Sequence, residues 1–487
     1  LNTGTVLNHA GGLVRTNGEG SHGMVADGAG SRATNEGDAD VLTTGDGSFG
    51  MFATNGSEAE NLGRVVTRGD GSHGMYAFGG STVNNNGSGA VRTEGAGSHG
   101  MVADGAGSVA NNRSSVLTIG DGSFGMYALD GGEVINRYGA TIRTDGADSH
   151  GMVAQGTGAI ATNETEANIR TTSDDSYGMY ALDGALARNS GTITTLGDSS
   201  HGMVAENGSG GPDDPDSGAY NNEMIVTSGD GSYGMYALNS SRVDNYDTIE
   251  TRGEGSHGMY AFGGSTIYNT NAGDNRGVVR TEGAGSHGMV ADGSGSTAHV
   301  NSSNVVTNGD NSFGMYALNG GLVYNHFGGL VRTNGTGSHG MVADGSGSTA
   351  TNEFGAEVRT TGPGSFGMLA TGGSVATNLG RVVTTSDDSH GMYAFGGSTI
   401  YNTNAGDNRG VVRTEGAGSH GMVADGSGST AHVNSSNVVT NGDNSFGMYA
   451  LNGGLVYNHF GGLVRTNGTG SHGMVADGAG SRATNEG

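Results

Sequence analysis

Short pieces of three or four residues recur along the chain, each alternating a fixed residue with a variable one. The first piece reads Gly-Met-(Val/Tyr)-Ala, as in Gly125-Met126-Tyr127-Ala128. The second ends on asparagine, as in Val134-Ile135-Asn136, and the third reads (Val/Ile)-x-Thr, as in Ile142-Arg143-Thr144. Glycine, serine and aspartate cluster between the pieces, which is turn chemistry. Period-2 alternation puts Met and Ala of the first piece on one face, and Val/Ile and Thr of the third likewise. The residue between them faces out. No segment carries a 3.6-residue apolar period over a helical length.

The three pieces return in a fixed order. Ser-(His/Phe/Tyr)-Gly-Met occurs eighteen times, from Met24 to Met474, and only Met224 lies outside the pattern. The mean spacing is about 26 residues, inside the window for solenoids. Three short strands and three turns fill such a coil. The pattern therefore predicts an all-β fold: a single parallel β-helix (β-solenoid) of about eighteen coils with three strands each. Parallel strands rise ~4.8 Å per coil, so such a stack spans roughly 85 Å. A β-propeller needs ~40–50 residues per blade. Disorder is excluded because the same side-chain types return at the same sites in every copy.

The predicted core is thin: methionine, alanine, valine and threonine. The asparagine closing the second piece (Asn35, Asn61, Asn85, Asn112, Asn136 and on to Asn458) predicts a ladder of stacked amides. In the third piece the outward residue alternates arginine with aliphatic residues, as in Arg15, Leu42, Val66, Arg92, Leu117 and Arg143. Arginines on neighbouring coils would repel. The stack is thus read as coil pairs, one type Ser-His-Gly-Met-Val-Ala-Asp, the other mostly Ser-Phe-Gly-Met-Tyr-Ala-Leu.

Three inserts break the spacing and predict corner loops, at 207–218, 270–277 and 403–410. The first contains Gly211-Pro212-Asp213-Asp214-Pro215-Asp216, and the other two share Asn-Ala-Gly-Asp-Asn-Arg. Residues 256–345 and 389–478 are identical, and 11–37 match 461–487 except at Glu19/Thr469. The two ends share phase, and neither resembles a capping repeat. The expectation is one continuous solenoid over 1–487, a window of a longer array.

Composition removes other classes. The chain has 100 glycines in 487 residues but three prolines, which excludes collagen. All 21 basic residues are arginine and the net charge is −26, which gives no electrostatic reason to bind nucleic acid or anionic membranes. There is no cysteine, hence no disulfide framework. No apolar run approaches the ~20 residues of a membrane helix.

Candidate chemistry is sparse. Gly95-Ala96-Gly97-Ser98-His99-Gly100 matches a dinucleotide motif, but a strand follows where a helix is required. Eleven histidines precede the Gly-Met step, and Phe49, Phe124 and Tyr177 interrupt their column. That composition suits a ring stack better than a metal shell. Acidic turns such as Gly45-Asp46-Gly47 offer oxygen ligands for incidental calcium. The calcium-binding nonapeptide does not recur. The fixed threonines point inward, so they form no outward ice-binding array. Polysaccharide lyases and glycosidases need a unique acid/base or cationic cluster, whereas every titratable column here repeats. No catalytic, cofactor or metal residue is assigned, and no enzyme activity is expected.

The repeat (Val/Ile)-x-Thr-x-Gly-x-x-Ser-x-Gly-Met-x-Ala…Asn resembles passenger-domain repeats of bacterial autotransporters, the self-secreting outer-membrane adhesins. Met24 and Met126 stand where the usual repeat has isoleucine. The resemblance covers the whole chain. It implies a right-handed β-helix at the bacterial cell surface or in the extracellular space, serving adhesion, filament or biofilm-matrix formation. The alternative is a carbohydrate-binding or carbohydrate-active β-helix. The expected interaction face is an outward stripe on the first sheet: Tyr76, Phe78, Tyr127, Leu129, Tyr180, Leu182, Tyr236, Leu238, Tyr260, Phe262, Tyr316, Leu318, Tyr393, Phe395, Tyr449 and Leu451, with valines such as Val25 and Val102 between. Exposed apolar patches mark interaction sites. The expected partners are copies of the chain, by lateral or end-to-end association, or surface glycans and proteins. Nucleic acid and direct membrane insertion are not expected.

Overall fold

Every regular element among the described residues is a β-strand. The computed structural model describes residues 3–208, 218–272, 275–406 and 408–486. Most of the first predicted insert, 209–217, therefore lies outside the described residues, as do 273, 274 and 407 in the other two. The chain divides into two units, Leu1–Val243 and Asp244–Gly487.

In the first unit a coil runs, for example, through the strands Met126–Leu129, Glu133–Asn136 and Thr141–Thr144. Each strand pairs in parallel with its equivalents one coil before and after, giving three sheets. The register aligns identical residues: Met101, Met126 and Met152; Asn112, Asn136 and Asn163; Thr118, Thr144 and Thr171. The second unit is built the same way, with Met289, Met315 and Met341 in one sheet and Asn325, Asn352 and Asn378 in another. Thr307, Thr333 and Thr360 align in the third. The fold is the parallel β-solenoid read from the repeat.

The alternation rule holds for the core. Met126, Ala128, Val134, Ile142, Asn136 and Thr144 are all buried. The buried polar groups satisfy one another, as burial requires. Thr144 Oγ1 donates to Ser149 O at 2.7 Å. Ser149 Oγ donates to Gly120 O at 3.1 Å and accepts the Ser123 N–H at 3.0 Å. Thr333, Ser338, Gly309 and Ser312 repeat this circuit in the second unit. The Ser149 N–H in turn donates to Ser176 Oγ at 3.1 Å, so the serine before the aromatic position ties each turn to the coils on either side. The glycine before each Met is fixed by space. A Cβ at Gly125 would lie 2.3 Å from Ile142 Cγ2 and 2.5 Å from Gly151 O.

The asparagine ladder forms. Asn112 Nδ2 donates to Asn136 Oδ1 and Asn136 Nδ2 to Asn163 Oδ1, each at 2.8 Å. It is not continuous, however, and the expectation of one asparagine per coil needs correction. In the strands Thr297–Asn301 and Thr430–Asn434 the ladder position holds Val300 and Val433, paired with Asn325 and Asn458. Asn301 and Asn434 stand one residue further on. The Oδ1 atoms of Asn325 and Asn458 are left buried with no hydrogen-bond partner.

Two of the inserts are more ordered than simple loops. The strands Thr266–Ala272 and Thr399–Ala405 run past the usual length and turn back as antiparallel pairs, Asn271 with Arg276 and Asn404 with Arg409.

Candidate interaction face and its ring column

The expected face lies on the methionine sheet. The strands Met75–Phe78, Met126–Leu129, Met179–Leu182 and Met235–Leu238 carry it in the first unit. Met259–Phe262, Met315–Leu318, Met392–Phe395 and Met448–Leu451 carry it in the second. Their tyrosines and leucines are half-buried. Phe78, Phe262 and Phe395 are 46 %, 43 % and 51 % exposed.

The valines between them are not part of the surface, which corrects the sequence reading. Val102 points away from the methionine core yet is only 1 % exposed, and Val153, Val290 and Val342 are equally covered. Each stands in register between two residues of adjacent coils that are mostly tyrosines, as Val102 stands between Tyr76 and Tyr127. The larger rings lean over it. Only Val25, whose following neighbour in register is Phe52, is exposed.

The alternation of coil types has a second cause at the same place. The tyrosine hydroxyl of one coil donates to the acidic residue of the next: Tyr76 to Asp104 at 2.6 Å, Tyr260 to Asp292 at 2.7 Å, Tyr316 to Asp344 at 3.0 Å and Tyr393 to Asp425 at 2.6 Å. Tyr127 bonds Gln155 and Tyr180 bonds Glu206 in the same way. The Met-Val-Ala-Asp coil therefore supplies both the floor and the cap for the tyrosine of its neighbour. Burial first, and the nearby Asp130 and Asp104 carboxylates second, push the Tyr127 phenol up to about 12.

Beside this face, the residues before Gly-Met stack into the expected ring column. In the first unit His22 stacks on Phe49 at 4.6 Å, His73 on His99 at 4.8 Å, His150 on Tyr177 at 4.5 Å and His201 on Tyr233 at 4.7 Å. In the second unit His257 stacks on His287 at 4.8 Å, His339 on Phe366 at 4.6 Å and His390 on His420 at 4.8 Å. A role absent from the sequence reading belongs to Nδ1. It accepts the backbone N–H of the ring residue one coil on, as His73 does from His99 at 3.1 Å and His150 from Tyr177 at 3.0 Å. An accepting Nδ1 means a neutral ring with its proton on Nε2. Burial accordingly holds His73, His150, His257 and His339 down at about 4. Burial, then a neighbouring histidine, takes His99, His201, His287 and His390 to about 3.

A further aromatic group sits on the asparagine sheet of the second unit and was not foreseen. Tyr268, His299 and Tyr324 stack at 4.7 and 5.2 Å. His299 Nδ1 faces His326 Nε2 at 2.9 Å, and His326 Nδ1 meets Glu353 at 2.9 Å. Tyr401, His432, Tyr457, His459 and Glu486 repeat it. Its only sequence signal was an outward Tyr or His before the asparagine position in the two identical blocks.

The remaining charges act locally. Outward arginines of the threonine sheet pair with an acid two residues on, as in Arg92–Glu94 at 3.0 Å and Arg143–Asp145 at 2.7 Å. That satisfies Arg143 although it lies in register with Arg170. The acidic turns bond backbone: Asp46 accepts the Asp70 N–H at 2.9 Å and Asp310 the Thr336 N–H at 2.7 Å. Among the described residues no group of three or more His, Asp or Glu is arranged to hold a metal. A shallow groove of about 290 Å³ lies among Phe354, Leu379, Val411, Glu357, Arg381 and Arg409, where Glu357 and Arg381 already pair at 3.5 Å.

No curated protein matches the chain. Among solved structures, a chain of the cryo-EM structure of the Vag8–C1 inhibitor complex is similar, with a TM-score of 0.53 and 16 % identity over 97 % of this chain and 99 % of that one. At that identity the likeness is one of fold. The model of the family described as the BigA third pectate lyase-like domain matches residues 1–88, 29–139, 112–273 and 327–462. Together these matches take in most of the chain, and the chain belongs to the BigA third pectate lyase-like domain family.

Proposed function

We propose that the chain is a non-catalytic, adhesive β-solenoid segment displayed outside a bacterial cell, binding a protein surface through its methionine-sheet face. One observation carries the reading: the exposed Phe78, Phe262 and Phe395 stand on a face whose other aromatic groups are fixed by stacking and capping. A large apolar group that a soluble protein leaves exposed at recurring positions is a contact, because burying it in a partner removes it from water. Vag8, similar in fold, is seen in a complex with the protein C1 inhibitor. That supports a protein partner for a surface built on this scaffold. The autotransporter-like repeat supports display at the cell surface or release from it. Association of the chain with copies of itself uses the same face.

Repetition supports the absence of catalysis. A lyase or glycosidase requires one constellation unlike the rest. Here the acids cap tyrosines, pair with arginines or bond backbone in coil after coil. The pectate lyase-like description of the family matches the β-helix scaffold, and fold does not carry function by itself. Sugar stacking is disfavoured, since the faces of the column rings already cover one another.

The test is a chain with Phe78→Ser, Phe262→Ser and Phe395→Ser, compared with the unmodified chain in adhesion to host-cell surfaces and in sedimentation. Adhesion or self-association should fall severalfold with the β-sheet circular dichroism unchanged. Unchanged binding would place the adhesive surface elsewhere. Serine at the tyrosines is a poorer test, because Tyr76 and its equivalents also roof the buried valines.

A further inference from the structure

The ring column contains two kinds of histidine step. His150, His201 and His339 each lie between two phenylalanine or tyrosine rings, as His150 does between Phe124 at 5.1 Å and Tyr177 at 4.5 Å. At three steps one histidine lies directly on another: His73 under His99, His257 under His287 and His390 under His420, each at 4.8 Å. In all three the lower ring's Nδ1 accepts the upper residue's backbone N–H, at 3.0–3.1 Å.

These two arrangements answer a proton differently. An imidazolium between two aromatic faces is supported on both sides by the ring quadrupoles. At a histidine-on-histidine step each ring has one aromatic neighbour and one imidazole. At both kinds of step a proton on Nδ1 removes the acceptor of a backbone N–H, but only at a histidine-on-histidine step does a second proton put like charges face to face. The two rings titrate as a coupled pair. The groups that face the pairs offer little compensation. His73 and His99 meet Tyr76 and Tyr127, and Asp104 is engaged by the Tyr76 hydroxyl. His257 and His287 meet Tyr260 and Tyr316, with Asp292 bonded to Tyr260. His390 and His420 meet Tyr393 and Tyr449, with Asp425 bonded to Tyr393. Only at His420 does an acid, Asp388, favour the charged ring, and burial outweighs it.

We propose that the three histidine-on-histidine steps are acid-labile joints, at which the methionine sheet opens locally on acidification while the remaining coils stay paired. The sign follows from linkage. Unfolded histidine takes its proton near 6.5, whereas these rings are held at about 3 to 4. Their contribution is complete above about 6.5 and is lost as the pH falls toward the lower values. The joints coincide with the coils bearing Phe78, Phe262 and Phe395. The inference itself does not depend on what those phenylalanines bind.

Hydrogen exchange, expressed as protection factors at about pH 7.5 and about pH 4.5, tests it. Protection of Met75–Phe78, Met101–Asp104, Met259–Phe262, Met289–Asp292, Met392–Phe395 and Met422–Asp425 should fall at least about tenfold more than that of Met152–Gln155 and Met341–Asp344. In a chain with His99→Phe, His287→Phe and His420→Phe, no histidine of the column lies on another, and the excess loss should vanish. Equal loss at all strands, no loss, or an excess that persists in this variant would each overturn the proposal. The comparison within the unmodified chain decides the matter even if the variant does not fold.

Discussion

At the residue scale, the fold rests on side chains that bond their own kind one coil away. Methionine, alanine, valine and threonine could be placed from the sequence because alternation alone decides which way they face. Asparagine could be placed because an amide both donates and accepts. The serine was not read, since the partners of its Oγ, Gly120 O and Ser123 N, belong to a turn of another coil. The broken ladder at Val300 and Val433 gives a test at this scale. Val300 is buried against Asn325, whose Oδ1 has no partner. Val300→Asn together with Val433→Asn should supply that partner twice. Each site should gain about 1 kcal/mol, the usual net worth of a buried hydrogen bond. Slower hydrogen exchange of Leu322–Asn325 and Leu455–Asn458 is the expected result. Faster exchange would mean that the valine packing outweighs the ladder.

At the element scale, the unit is a pair of coils. The sequence showed the pairing in its alternation of arginine with aliphatic residues and attributed it to charge repulsion. The strands reveal a different cause: tyrosine needs a floor and a cap. Arg143 and Arg170 are neighbours without penalty because Arg143 has Asp145 beside it. The expected face was thus legible in position but not in exposure. Burial of Val102 depends on the size of the rings on adjacent strands, which no single-strand pattern reports. The capped phenols make a prediction. Burial and the facing carboxylates raise Tyr76, Tyr127, Tyr316 and Tyr393, with Tyr127 at about 12. Unfolded tyrosine ionises near 10. The stability these groups give is complete below about 10 and is lost as the pH rises toward the folded value. In an absorbance titration at about 295 nm, the tyrosines of this sheet should stay protonated to about pH 11. Ionisation of all 17 tyrosines near pH 10, with the circular dichroism intact, would show that the caps do not exist.

At the scale of the whole molecule, stability is a sum of neighbour contacts, as in other solenoids. Function is read from a surface repeated along the stack, and no single cavity carries it. The two identical blocks, 256–345 and 389–478, reproduce the tyrosine–histidine group as well as the core, so duplication copied outward chemistry along with structure, and the glutamates that meet it, Glu353 and Glu486, stand just after each block. Each coil of a parallel solenoid advances the stack by one strand spacing. Outward arginines within one unit provide the ruler. Arg15 and Arg143 lie five coils apart, Arg15 and Arg170 six, and Arg280 and Arg465 seven. Cysteine in place of each pair, in a chain that has no cysteine of its own, allows spin labels and a double electron–electron resonance measurement. The predicted separations are about 24, 29 and 34 Å, a step of ~4.8 Å per coil. Separations far from these values, or broad distributions without a step, would contradict the stacked solenoid on which every functional statement depends.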